Sequence, residues 1–84
     1  MRTNKEMNII FEQCLQDLQS LGIEPAVIDS LDFKRLPEND YGYARSYVDK
    51  NNELKYCIVI SNLFMDERVY EPIVRGTMFH ELLH

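Results

Sequence analysis

The first part of the chain repeats apolar side chains with the period of an α-helix. Between Thr3 and Leu21 they recur every three or four residues, and polar side chains fill the positions between them. The recurring apolar residues are Met7, Ile10, Phe11, Cys14, Leu15, Leu18 and Leu21. Thr3 and Glu6 have the spacing of a capping box, and Gly22 stands where a helix commonly ends. The pattern predicts an amphipathic helix of about five turns whose apolar face packs into the core.

Three stretches with the composition of β-strands follow, near residues 27–36, 41–48 and 54–61. The last two flank the polar segment DKNNE, residues 49–53, which is rich in residues that favour tight turns. These two strands are therefore predicted to form an antiparallel hairpin.

The two faces of the strand near residues 41–48 differ in side-chain size. One face, which would allow a helix to pack closely, carries Gly42, Ala44 and Ser46. The other face carries Tyr41, Tyr43, Arg45 and Tyr47. We expect this second face to be a half-buried sheet surface and not a platform for nucleic-acid bases. Base-stacking surfaces normally accompany a basic groove, and the chain is acidic.

The last third of the chain predicts a second helix. The segment NLFMDERVYEP, residues 62–72, has no clean period and suggests a loop or a short helical turn. Pro72 fits the first turn of a helix, because its missing N–H has no partner there in any case. Beyond Pro72 the one helix-breaking residue is Gly76, which often marks a close backbone approach. The predicted fold class is α+β: an amphipathic helix, a small antiparallel sheet of two to three strands and a C-terminal helix, in one domain over residues 1–84.

Composition and charge narrow the classes of function. A hydrophobic content of 45% with 27% charged residues is typical of a small globular domain. The net charge of -5 argues against direct nucleic-acid binding by this portion. No apolar run approaches the roughly 20 residues of a membrane span, and the polar start lacks a signal-peptide core, so we expect no membrane contact and a cytoplasmic location. Cys14 and Cys57 form no C-x-x-C pair and are expected to be reduced core residues.

The stretch TMFHELLH, residues 77–84, carries the candidate chemistry. His80 and His84 are four residues apart, so a helix places them on one face, where both imidazoles can reach one metal ion. Glu81 is rotated about 100° from His80 and can hold and deprotonate a metal-bound water. This is the H-E-x-x-H pattern of zinc peptidases, and it contains both histidines of the chain. The pattern predicts His80 and His84 as Zn²⁺ ligands and Glu81 as the catalytic general base.

The strand CIVIS, the following Asn62 and Leu63, and the final helix together resemble the SprT-like zinc metallopeptidases. That family has an I-x-I/L-S strand followed by a T-x-x-H-E-L-x-H helix. The matching helix positions are Thr77, His80, Glu81, Leu82 and His84. The resemblance covers about the N-terminal half of such a domain. It implies a metallopeptidase that hydrolyses peptide bonds of a protein or peptide substrate with a zinc-activated water.

One zinc ligand of the family has no counterpart in this sequence. The SprT-like peptidases take their third protein ligand from a downstream histidine, and no residue follows His84. Catalytic zinc needs three protein ligands and a water. We therefore expect residues 1–84 to be the N-terminal portion of a SprT-like domain, truncated at the second motif histidine and inactive by itself. Such a truncation would expose part of the hydrophobic core, and two copies of the chain could dimerise through that surface.

The sequence also indicates where a substrate would bind and leaves two alternative functions open. An extended peptide substrate would lie along an exposed strand edge beside the helix, and the candidate strand is residues 54–61. The ImmA/IrrE type of repressor-cleaving zincin also carries an H-E-x-x-H helix after a strand, and its third ligand would distinguish it. A non-catalytic interaction module, in which the final helix only caps the sheet, is the alternative from another class. Such a module would bind no zinc.

Overall fold

The computed structural model describes residues 1–24 and 27–83. Two α-helices, three strands and one 3-10 helix follow one another along the chain. They are α1 (Asn4–Ser20), β1 (Ile28–Lys34), β2 (Gly42–Val48), β3 (Leu54–Ser61), the 3-10 helix Asn62–Met65 and α2 (Glu71–Leu82). This order confirms the predicted α+β class. It also confirms the proline in the first turn of the second helix, since Pro72 is the second residue of α2.

Helix α1 begins and ends at the residues that its sequence indicates. The hydroxyl of Thr3 accepts a hydrogen bond from the Glu6 N–H at 3.1 Å, and the Glu6 carboxylate accepts one from the Thr3 N–H at 3.3 Å. This reciprocal pair is the predicted capping box. At the other end Gly22 has a φ of 79°, a left-handed conformation that glycine adopts without steric cost. Local capping chemistry therefore sets both boundaries of α1.

The sheet is mixed, with strand order β1-β3-β2. Strands β2 and β3 form the predicted antiparallel hairpin, whereas β1 pairs with β3 in parallel, so the expectation of a purely antiparallel sheet was wrong. Strand β3 contains the consecutive buried residues Ile58, Val59 and Ile60. Because β3 is central, a neighbouring strand covers this apolar run on each side. The chain reverses direction between β1 and β2 and again between β2 and β3, so β3 runs parallel to β1.

The central position of β3 also corrects the expected substrate edge. Both sides of residues 54–61 are occupied by neighbouring strands, so this strand offers no open edge to a peptide. The outer strands of the described sheet are β1 and β2. Of these two, β2 is the strand against which α2 packs.

One hydrophobic core joins both helices to a single face of the sheet. Its buried residues are Met7, Ile10, Phe11, Cys14, Leu18, Ile58, Ile60, Phe64, Val74, Met78 and Leu82. Cys14 and Cys57 are both free thiols. Cys57 is half-buried and lies outside this core, because strand alternation directs it to the face opposite Ile58, and its predicted core placement was wrong. Among the described residues, neither helix has the length and apolar content needed to cross a membrane.

The tyrosine face of β2 is more open than the sequence suggested. Arg45 lies 5.2 Å from the ring centroid of Tyr43, which is half-buried. Tyr41 and Tyr47 are exposed, and the Tyr47 hydroxyl donates a hydrogen bond to Asp29 at 2.5 Å. The expected half-buried surface is therefore found at Tyr43 and not at its two neighbours on the same face.

Arg2, near the N-terminus, is hydrogen-bonded to the segment that connects β3 to α2. The guanidinium of Arg2 donates hydrogen bonds to the carbonyl oxygens of Phe64, Asp66 and Val69, at 3.0, 2.8 and 2.6 Å. The backbone N–H of Arg2 donates to the Met65 carbonyl at 2.6 Å. All four carbonyls belong to the segment between β3 and α2. Arg2 therefore fixes the start of the helix that carries the H-E-x-x-H motif.

We predict that Arg2→Ala lowers the free energy of unfolding by about 2 kcal/mol, because three half-buried carbonyls lose a charged donor. Urea denaturation followed by circular dichroism measures the change. The control is Lys5→Ala, which removes an exposed cation from the neighbouring turn. Equal, small effects of the two substitutions would show that the Arg2 contacts contribute nothing to stability.

Candidate metal and catalytic site

An open cleft of about 510 Å³ lies between α2 and the segment that leads into β2. The helix contributes residues at positions i, i+3, i+4, i+7 and i+8, which share one helical face. They are Ile73, Gly76, Thr77, His80 and Glu81. The opposite wall is formed by residues 39–42. A cleft of this volume is in the range of sites that hold a small molecule or a short peptide segment.

Two predicted site residues, His80 and Glu81, both line this cleft but differ in burial. His80 is exposed, whereas Glu81 retains 5% of its accessible surface. The two are consecutive on α2, so the rotation of about 100° between them directs the imidazole to the open side and the carboxylate towards the sheet. Met78 and Leu82, on the buried face of the same turn, hold the helix against the core. The arrangement places an accessible imidazole beside a largely water-excluded carboxylate.

The other predicted ligand, His84, lies outside the described residues. Its convergence with His80 on one ion therefore stays a prediction. Within residues 1–24 and 27–83, no group of three or more histidine, cysteine, aspartate or glutamate side chains is placed to hold a metal. The exposed His80 imidazole suits a zinc ion chemically, and a site with three protein ligands would need at least one from outside the described part of the chain.

Strand β2 packs beside Glu81 of α2 at Gly42. A Cβ atom built on Gly42 would lie 3.3 Å from Cγ of Glu81 and 2.9 Å from the carbonyl oxygen of Val59. Strand and helix therefore meet where β2 has no side chain. The predicted packing of a helix against the small-residue face is confirmed at Gly42, whereas Ser46 on the same face is exposed. The alternation of small residues along β2 was the sequence signal for this contact.

The backbone of β2 presents hydrogen-bonding groups to its outer edge. The Ser61 N–H donates to the Tyr41 carbonyl at 2.9 Å, and the Asp49 N–H donates to the Glu53 carbonyl at 3.0 Å. These bonds identify the odd-numbered residues of β2 as those bonded to β3. The N–H and C=O groups of the even-numbered residues therefore point away from β3, beginning with Gly42 at the cleft.

The wall formed by residues 39–42 was not identified as part of a site from the sequence. Asn39 has a φ of 69°, a left-handed conformation that asparagine tolerates better than most residues, and the Asp40 N–H donates to the Pro37 carbonyl at 3.0 Å. The run PEND, residues 37–40, is a turn signal that could have located this wall. Asp40 is exposed and adds a second carboxylate to the cleft. Among the described residues that line the cleft, none is lysine or arginine.

Two further residues of α2 complete the helical wall. Thr77, one of the residues that match the SprT-like motif, is half-buried and donates its hydroxyl hydrogen to the Ile73 carbonyl at 3.0 Å. Gly76 is exposed, and a Cβ built on it would meet no atom within 4 Å. The close backbone approach expected at Gly76 was therefore wrong, because that face of α2 opens into the cleft and does not contact a neighbouring element.

No protein-family model, curated protein or solved structure matches the chain. The resemblance to SprT-like peptidases consequently rests on the sequence motif and stays a prediction. The position of His80 and Glu81 in one cleft is a separate observation that bears on function.

We predict that Gly76→Ala raises the free energy of unfolding by about 0.5–1 kcal/mol, because alanine favours the helix and its methyl group meets open space. The matched control is Gly22→Ala, where the space is also open but the φ of 79° disfavours any side chain. That control should lower stability. Urea denaturation measures both, and destabilisation by Gly76→Ala would contradict the open cleft.

Proposed function

We propose that the chain carries the first part of a zinc-dependent peptidase site of the SprT-like kind. The observation that supports this proposal most directly is the placement of His80 and Glu81. An exposed imidazole and a buried carboxylate from consecutive residues meet in one cleft that is open to solvent. These are the side chains that metal-dependent hydrolysis of a peptide bond requires, in the order of the H-E-x-x-H motif.

Each residue of the site has a distinct role in the proposed reaction. His80 would bind zinc together with His84 and a third ligand from outside the described residues. The metal would supply Lewis acidity to the attacking water and to the substrate carbonyl. Glu81 would accept the proton of the attacking water and transfer it to the leaving amine. Burial of Glu81 at the strand keeps bulk water from competing for this proton.

The outer edge of β2 replaces β3 as the proposed substrate-binding strand. An extended peptide can add to an exposed sheet edge through backbone hydrogen bonds, and the outward-facing groups of β2 begin at Gly42, within the cleft. The cleft contains the carboxylates of Asp40 and Glu81, and none of its described lining residues is lysine or arginine. We therefore propose a neutral or basic peptide segment as substrate. The same charges disfavour an acidic segment or a nucleic acid.

The two alternatives differ from this proposal in the third zinc ligand or in whether zinc is bound. A repressor-cleaving zincin of the ImmA/IrrE type would use His80, His84 and Glu81 in the same roles and would differ in its third ligand. A non-catalytic interaction module would keep the fold and bind no zinc. A cytoplasmic location belongs to the proposal and agrees with the free thiols of Cys14 and Cys57.

The proposed role of Glu81 is tested by Glu81→Gln in a longer form that continues past His84 and supplies the third ligand. We predict zinc-dependent cleavage of unfolded casein that a chelator abolishes and that Glu81→Gln lowers by about 10²- to 10⁴-fold. Zinc content should not change, because Glu81 is not a ligand. The matched control is Glu12→Gln, the same substitution at an exposed position of α1.

Residues 1–84 alone should show no cleavage above background with added zinc, because two histidines hold the ion loosely. Rapid cleavage by this chain would contradict the need for a third ligand. A longer form that binds one zinc but cleaves nothing would contradict the peptidase proposal.

A further inference from the structure

The glycine at position 42 is not explained by its backbone conformation. Among the described residues the one glycine with positive φ is Gly22, so Gly42 adopts a conformation open to any residue. Glycine inside a strand weakens the strand, because it loses more conformational freedom on folding and contributes no side chain to packing. The reason for a glycine at position 42 must therefore lie in the atoms around it and not in its backbone conformation.

The surroundings of Gly42 supply that reason. A methyl group there would approach three atoms closely: the Val59 carbonyl oxygen at 2.9 Å, Cγ of Glu81 at 3.3 Å and Cδ1 of Ile60 at 3.3 Å. The Val59 oxygen belongs to the backbone of the central strand, whereas Cδ1 of Ile60 and Cγ of Glu81 are side-chain atoms. Because the Val59 carbonyl cannot move independently of its strand, a methyl group at position 42 would be forced against the side chains of Ile60 and Glu81, and both would have to shift.

We propose that Gly42 is the positioning residue for Glu81. Its missing side chain leaves the space in which Cγ of Glu81 lies, so the carboxylate is kept at the cleft between the helix and the strand edge. The outward-facing N–H and C=O of the same glycine lie on the edge proposed to bind the peptide. Gly42 thus brings the peptide backbone and the proton acceptor to the same place. The inference rests on the proposed peptidase function.

The kinetic consequence is separable from a loss of folding. A displaced general base slows the chemical step, and a misplacement of about 1 Å can lower the rate by about 10²-fold. Substrate binding through backbone groups and zinc binding through imidazoles do not use the Glu81 carboxylate. Gly42→Ala should therefore lower kcat by about 10- to 100-fold and leave KM and zinc affinity within about twofold.

The test combines kinetics of the longer form with a double-substitution cycle on residues 1–84. Gly42→Ala, Glu81→Ala and the pair are compared by their urea midpoints. If the methyl group meets the Glu81 side chain, Glu81→Ala relieves much of the destabilisation, and the effects are not additive. The ¹³C resonance of the Glu81 carboxyl should also move in Gly42→Ala. It should not move in Ile10→Val, which weakens the core at a distance from the cleft.

Each outcome bears on one of the two proposals. If Gly42→Ala does not fold but the double variant does, the contact with Glu81 is supported. Additive midpoints, failure of both variants to fold, or an equal fall in kcat for Ile10→Val would overturn the inference, because the Val59 contact or general stability would then explain Gly42. No cleavage by the unsubstituted longer form would overturn the peptidase function instead, whatever the urea midpoints.

Discussion

The contact between strand β2 and helix α2 at Gly42 determines the geometry of the whole candidate site. Because no side chain separates them, the side chain of Glu81 reaches the strand and is buried, while His80, the preceding residue, remains exposed. A side chain at position 42 would occupy the space in which Cγ of Glu81 lies. The cleft, the burial of the proposed base and the nearness of the strand edge therefore have one steric origin.

The rest of the fold holds α2 in the position that this contact requires. Val74, Met78 and Leu82 bury one face of the helix against the core shared with α1 and β3. Arg2 fixes the connection before the helix through the carbonyls of residues 64–66 and 69. The open face of α2, which contains Gly76, is left without packing and faces the cleft. A helix anchored on one face and open on the other suits a site that must admit a substrate.

The sequence predicted the features that local chemistry decides and missed those that depend on distant residues. The capping box at Thr3, the turn at residues 49–53 and Pro72 in α2 each depend on neighbours a few positions away, and each was correct. Which of the three strands occupies the central position depends on all three together, so the residues of β3 alone do not predict it. The same holds for the cleft wall at residues 39–42, which becomes part of a site only when α2 packs beside it. At the site, the motif identified His80 and Glu81, and the fold added Gly42 and Asp40.

X-ray absorption at the zinc edge, on residues 1–84 at millimolar concentration with one equivalent of zinc, tests the central claim most directly. We expect nitrogen ligands at about 2.0–2.1 Å with the outer-shell scattering of imidazole. His80→Ala should remove one imidazole from that shell, and Glu81→Gln should leave the shell unchanged. A zinc spectrum that His80→Ala does not alter would contradict a metal site on α2.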